Sequence, residues 1–310
     1  MDPGPARPGP RDRPCRRGGG RLGHPHLLPR RPYGGGDPVR EAARSVSIHP
    51  TASVDPRADL GPGVQVGPYA VIEADVVVGE GTVIGPHVVL HAGTRIGRRN
   101  RIFSGAVIGC EPQDRAFRGE RSFAILGDDN VIREYVQISR ATGPEAATVL
   151  GDRNYIMSTA HIAHNCRLGS DIVVVTGSGL AGHVQVGDGA QVGGITGVHQ
   201  FVRIGRLAMV GGKSALLQDL PPFLLASGVP ARVRGLNRVG LIRAGVPQEE
   251  IERLWAAFRI LYGRGLTPAH AADRVAREIG EEGLVGELVA FVREGLHSRR
   301  GLIRRGNIRG

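Results

Sequence analysis

Stepping along the chain in sixes from Ile48 lands almost without interruption on branched aliphatic residues. Ile48, Val54, Leu60, Val66, Ile72, Val78, Ile84, Leu90, Ile96, Ile102 and Ile108 form an unbroken run. The register skips Asp114 and Glu120, resumes at Leu126, Ile132 and Ile138, skips Pro144, and then holds from Leu150 to Leu216. A period of six fits neither a helix at 3.6 nor an alternating strand at 2. It predicts a parallel β-helix over 46–217, with three short strands per coil and one inward aliphatic per strand. The register spans about ten such coils, stacked about 4.8 Å apart. Glycine follows many anchors (Gly61, Gly79, Gly97, Gly205). Asparagine stands four residues after the anchor at Asn100, Asn130 and Asn154, where a left-handed conformation is expected to turn the corner. The skipped slots predict two loops, near 110–124 and 140–148, that bulge out while the register survives. Such loops on one face of a solenoid often form its binding surface.

Past Leu217 the pattern changes. Pro221 and Pro222 break the ladder. Ile251, Leu254, Trp255, Phe258 and Leu261 then recur at helical spacing between Pro247 and Gly263. Further helices are expected over 268–279 and 284–295. The reading is a mainly β chain: a solenoid, then a linker and small α-helical domain over 218–300, then a basic tail at 301–310.

Composition changes this picture little. The formal charge is +11 over 310 residues, and Lys213 is the only lysine. Ten arginines fall in residues 1–45 and five in 298–310, which leaves the middle of the chain neutral. Residues 1–45, rich in Arg, Gly and Pro, cannot bury enough apolar surface to offset their ordering entropy and are expected to be disordered. The charge therefore does not mark a nucleic-acid protein, and aromatics at 4% are too few for a base-stacking surface. No apolar run approaches the length of a membrane span, and no secretory h-region opens the chain. Three cysteines (Cys15, Cys110, Cys166) make neither a disulfide framework nor a paired-Cys zinc site, which points to a reducing cytoplasm. Val210 to Ser214 (VGGKS) imitates a phosphate loop, but Leu207 stands where its first glycine is needed.

Four histidines cluster in sequence: His161 and His164 (AHIAH), His183 (LAGHV) and His199 (VHQF). One coil is eighteen residues, so His164 and His183 fall on neighbouring turns. Three readings stay open on the residues alone: a general base working near neutral pH, a three-histidine zinc site of a lyase, or polar filler at the turns. A non-enzymatic sugar-nucleotide-binding scaffold is a further alternative.

The segments AHIAHNC, LAGHV, VHQF, MVGG, QDLPPF and RGLIR, in this order, resemble the acyl-[acyl-carrier-protein]–UDP-N-acetylglucosamine O-acyltransferases of lipid A biosynthesis. The resemblance covers about 46–304. It implies a left-handed β-helix and a cytoplasmic homotrimer with the site between subunits. It implies transfer of a 3-hydroxyacyl chain from acyl carrier protein to the sugar 3-position, with no cofactor or metal and no stable membrane insertion. It places the general base at His164, oriented by Asn165, and the oxyanion donor at the Gly182 N–H. Substrate contacts fall on Gln113, Asp114, His161, His183, His199, Gln200, Asn237 and Arg243, and the end of the acyl groove on Gly212. The chain departs from the family pattern at Asn165 (usually Asp), Ala116 (usually Lys), Val239 (usually an acid) and Ser139 (usually His). These changes leave the acceptor as either UDP-N-acetylglucosamine or its 3-amino analogue.

Overall fold

The computed structural model describes residues 45–263 and 265–305. The expected disorder of 1–45 falls almost wholly outside these residues. From Ser47–Ile48 to Ala215–Leu216 the chain winds through strands of two to four residues, every third of which joins the same sheet. The result is a three-sided, left-handed prism. Partners lie eighteen residues apart, as in Ile48↔Val66 and Val174↔Val192. Across the skipped slots Ile102 pairs with Ile132 and Ile132 with Ile156, so the ladder closes beneath both insertions. The anchors stack into one core: Ile162, Leu180 and Val198, on successive coils, are all buried. Only the first anchors, with no coil beneath them, stay uncovered, and Ile48 is 45% exposed.

The corners are not built as expected. The left-handed residue is neither the glycine after the anchor nor the asparagine four after it, but the residue three after it. Arg99, Asp129 and Arg153 take φ of 53°, 59° and 55°, and each precedes one of the three asparagines. Those asparagines point inward instead and form a buried ladder. Asn100 Oδ1 accepts from Asn130 N, Asn130 Oδ1 from Asn154 N and Asn154 Oδ1 from Ile172 N, each at 2.9 Å. The glycine after the anchor answers a different need. A Cβ at Gly79 would lie 2.6 Å from the carbonyl carbon of Gly97, so it is the approach of successive backbones that excludes a side chain.

Beyond the prolines the expected linker contains a hairpin. Leu224–Gly228 adds to Met209–Val210 and turns back antiparallel as Ala231–Leu236. Its buried residues alternate (Leu224, Ala226; Ala231, Val233), a period-two signal too short to stand out beside the sixes. Four helices follow: α1 Arg238–Arg243, α2 Gln248–Leu261, α3 Pro268–Glu278 and α4 Gly283–Gly295. The short α1 has no sequence periodicity to announce it. On α2 Ile251, Leu254 and Phe258 of the expected stripe are buried, Leu261 is half-buried, and Trp255 is 39% exposed and lies stacked against Phe258.

Two ion pairs tie α4 to the solenoid: Arg206 to Glu287 at 2.7 Å and Arg203 to Glu294 at 2.9 Å. The last described residues return to the solenoid. Asp219 N donates to Gly301 O, and Ile303 N to Asp219 O, both at 2.9 Å. The buried Asp219 carboxylate is held by Arg203 N and Nε at 2.9 and 3.0 Å. Asn154→Ala would strip the Ile172 N–H of its acceptor and the Gly169 carbonyl of a donor. With both left buried, we expect a loss of about 2–4 kcal/mol, read as a melting temperature several degrees lower. An unchanged melting temperature would show that the asparagine ladder is not structural.

Candidate active site

The corner between the second and third sides of the prism gathers the expected residues. Asn165, His183 and Phe201 occupy its left-handed slot on three successive coils, with φ of 59°, 61° and 66°. His164 precedes Asn165, and its ring meets that of His183 edge-on at 5.3 Å. The His183 ring stacks on Phe201 at 4.7 Å. Gly182 packs against the imidazole: a Cβ there would fall 2.5 Å from His164 Nε2, so no other residue fits without moving the ring. The Gly182 N–H makes no hydrogen bond to any described residue.

Both insertions fold over this corner. The second brings Thr142, whose N–H donates to Asn165 Oδ1 and whose carbonyl accepts from Asn165 Nδ2, each at 3.0 Å. Asn165 N donates to Thr148 Oγ1 at 2.8 Å. This double contact fixes which end of the Asn165 amide is oxygen, because a flipped amide would set donor against donor and acceptor against acceptor. The same Oδ1 lies 2.8 Å from His164 Nδ1. His164 Nδ1 must therefore carry the proton, and Nε2 presents its lone pair.

The first insertion brings Asp114, with Oδ2 3.9 Å from His164 Nε2. The Ala116 N–H, at 3.0 Å, holds the Asp114 carboxyl below the usual carboxylate range, helped by the His164 and His183 rings. Gln113 beside it is exposed. Cys166 is buried, and burial pushes its thiol up to about 12, so it stays protonated and is no nucleophile.

The other expected residues spread from this corner. His161 lies within the second side, opposite Gly179. Its Nδ1 is buried with no partner among the described residues, and burial, with His164 nearby, pushes the ring below its ordinary value. Burial also lowers His183, with further contributions from His164 and Arg299. His199 Nδ1 lies 3.3 Å from the Gln200 carbonyl, and Gln200 is exposed. Gly212 is at the opposite corner, where a Cβ would come 3.3 Å from Gly194 O. Between the two corners, Gly179 and Gly197 have nothing within 4 Å of where a Cβ would stand, which leaves a flat, unfilled strip. Asn237 caps α1 by accepting from Gly240 N at 3.1 Å and donates to Leu207 O at 2.9 Å, so its amide is engaged at both ends. Arg243, at the end of α1, is exposed. The zinc reading finds no ligand set, since among the described residues no three His, Cys, Asp or Glu side chains are arranged so as to hold a metal ion.

Sequence reasoning missed Thr142, Thr148 and Phe201. Phe201 was within reach, because it repeats Asn165 and His183 at the coil period. The threonines flank a loop whose path only the folded chain reveals.

Comparison with known proteins settles the family. A curated acyl-[acyl-carrier-protein]–UDP-N-acetylglucosamine O-acyltransferase of Synechocystis is 56% identical over 232 residues, covering 75% of this chain and 84% of the relative. The chain belongs to this acyltransferase family. A Burkholderia orbicola member is 42% identical over 215 residues, covering 67% of this chain and 80% of that one. Among solved structures, the Bacteroides fragilis UDP-N-acetylglucosamine acyltransferase superposes with a TM-score of 0.80 at 36% identity, over 83% of this chain and 100% of that one. The Arabidopsis enzyme gives 0.74 at 34%, over 83% and 100%. The family model described as UDP N-acetylglucosamine O-acyltransferase, domain 2, matches residues 219–303.

The lowered His161 has a consequence for pH. Folding holds it neutral below the ordinary imidazole value of about 6.5, so the unfolded chain binds the extra proton first. Its contribution to stability is full above about pH 6.5 and falls as pH drops from there through the folded pKa. We expect the melting temperature to fall as pH drops below about 6.5, and less steeply in His161→Gln. Equal slopes in the two proteins would refute the assignment.

Proposed function

We propose that this acyltransferase moves a (3-hydroxy)acyl chain from the thioester of acyl carrier protein to the 3-position of UDP-N-acetylglucosamine, the first step of lipid A biosynthesis. One observation carries the reading. A fixed Nε2 lone pair on His164 lies against Gly182, whose N–H has no partner among the described residues, in a chain 56% identical to an enzyme named for this reaction.

His164 Nε2 takes the proton of the acceptor as its oxygen attacks the thioester carbonyl, a role worth about 10²–10⁴ in rate. The oxyanion that develops is met by the Gly182 N–H, a donor of the kind worth about 10²–10³. Collapse forms the ester and expels the carrier's thiolate, which takes the proton back from His164. Asn165 holds the tautomer but, being neutral, gives the imidazolium less support than a carboxylate. Asp114, 3.9 Å from Nε2, supplies part of that charge.

His161, with its unpartnered Nδ1, and Gln113, His183, His199 and Gln200 form the sugar-phosphate contacts. Arg243 reaches the nucleotide, while Asn237 shapes the turn that presents it. The strip over Gly179 and Gly197 receives the acyl chain, and Gly212 ends it. The division into an extension, a solenoid of 46–217 and a helical part from 218 belongs to the same proposal. So does a homotrimer. The corner opposite the site bears Tyr135 and Ile195, 68% and 67% exposed, an apolar edge suited to a neighbouring subunit. Among the described residues no helix is long and apolar enough to cross a membrane. We place the enzyme in the cytoplasm, with its carrier-protein substrate.

The test is incubation with defined acyl-carrier thioesters and UDP-N-acetylglucosamine or its 3-amino analogue, with products read by mass. We expect one acyl chain added to the sugar, and no product from either acceptor would sink the proposal. His164→Ala should lower kcat by about 10²–10⁴. Asn165→Asp should move the acidic limb of the kcat/KM profile to higher pH, because a carboxylate stabilises the imidazolium. A limb that stays in place would show that Asn165 does not touch the base.

A further inference from the structure

We propose that Arg299 is a further binding residue of this site and receives a phosphate group borne by a substrate. The proposal rests on the acyltransfer reading, since both substrates of that reaction carry phosphate: the sugar nucleotide as a diphosphate, the acyl carrier as the phosphodiester of its prosthetic arm.

Arg299 lies on the segment that follows α4. Pairing of Gly301 and Ile303 with Asp219 draws this segment onto the edge of the last coil. There the Arg299 guanidinium sits 4.4 Å from the centre of the Phe201 ring. Phe201 stacks on His183, which meets His164 edge-on. The column Asn165, His183, Phe201 is thus continued by Arg299, the one member of the series supplied from outside the solenoid.

The solenoid arginines on this side are neutralised. Arg203 is paired with Asp219 and Glu294, and Arg206 with Glu287. Arg299 has no carboxylate partner among the described residues. It opens onto a cleft lined by His183, Gln185, Phe201 and Ser298, whose one acid, Glu294, is held by Arg203 at 2.9 Å. A guanidinium over an aromatic ring keeps its N–H edge free in its own plane, the arrangement that grips phosphate through two parallel bonds. Burial, His164 and Arg299 lower His183, so the positive charge of the cleft rests on Arg299.

KM for each substrate, varied separately, tests this in the wild type, Arg299→Gln and Arg299→Lys. Arg299→Gln keeps a planar polar group on the side chain but removes the charge and the two-pronged donor edge. We expect KM for one substrate to rise about tenfold while kcat moves less than about threefold, with Arg299→Lys recovering part of the loss. A rise for the sugar nucleotide alone identifies the diphosphate, and a rise for the acyl carrier alone identifies the carrier's phosphodiester. Unchanged KM for both, or a fall in kcat alone, would overturn the proposal. A wild type that transfers no acyl group would instead remove the reading beneath it, and the two failures are told apart by that control. Should Arg299→Gln not fold, Arg299→Ala takes its place, with the same expected and overturning results.

Discussion

The backbone ladder between coils is the constraint on which the rest of the structure depends. Each strand is only two to four residues long, too short to persist alone, and is held because the coil below presents a matched row of donors and acceptors. That row fixes what stands above what. Residues eighteen apart become neighbours, and a side chain's place in the prism follows from its place in the repeat. The histidine site results from this rule. Asn165, His183 and Phe201 are remote in sequence but consecutive in space, because each is third after an anchor on the same corner.

What the rule governs was legible in the chain. The sixes gave the solenoid and its continuation beneath two insertions, and the histidine motifs named residues that the fold gathers at one corner. What failed was the chemistry of the corner. Propensity favours glycine or asparagine for a left-handed residue, and Gly81, Gly105 and Asn165 do hold that slot, yet so do arginine, aspartate, histidine and phenylalanine, among them Arg99, Asp129, His183 and Phe201. The ladder over-determines the backbone there, and tertiary pairing overrides local preference. The asparagines assigned to the turns serve the interior instead, carrying hydrogen bonds from coil to coil where the backbone leaves N–H groups without partners.

The candidate site shows the same division. His164, Gly182, His183 and Asp114 could be assigned from motif and spacing, and they lie together. The tautomer of His164 could not, because it depends on Thr142 gripping Asn165 from a loop outside the repeat. Asn237 adds to this. Its motif implies a ligand contact, and its amide also bonds Gly240 N and Leu207 O, which leaves one lone pair and one N–H over. A motif records which residue occurs where, but not how many of its hydrogen-bonding groups the fold has already used.

The closure of the last coil by Gly301 and Ile303 bears on the order in which the molecule can be made. Each coil needs only the one before it, so winding can keep pace with synthesis from the N-terminal side. The edge at Asp219 cannot: its partners are more than eighty residues further on and leave the ribosome well after it. A nascent chain therefore holds its histidine corner formed but its final rung open, and completion of the fold is timed by the arrival of its closing residues.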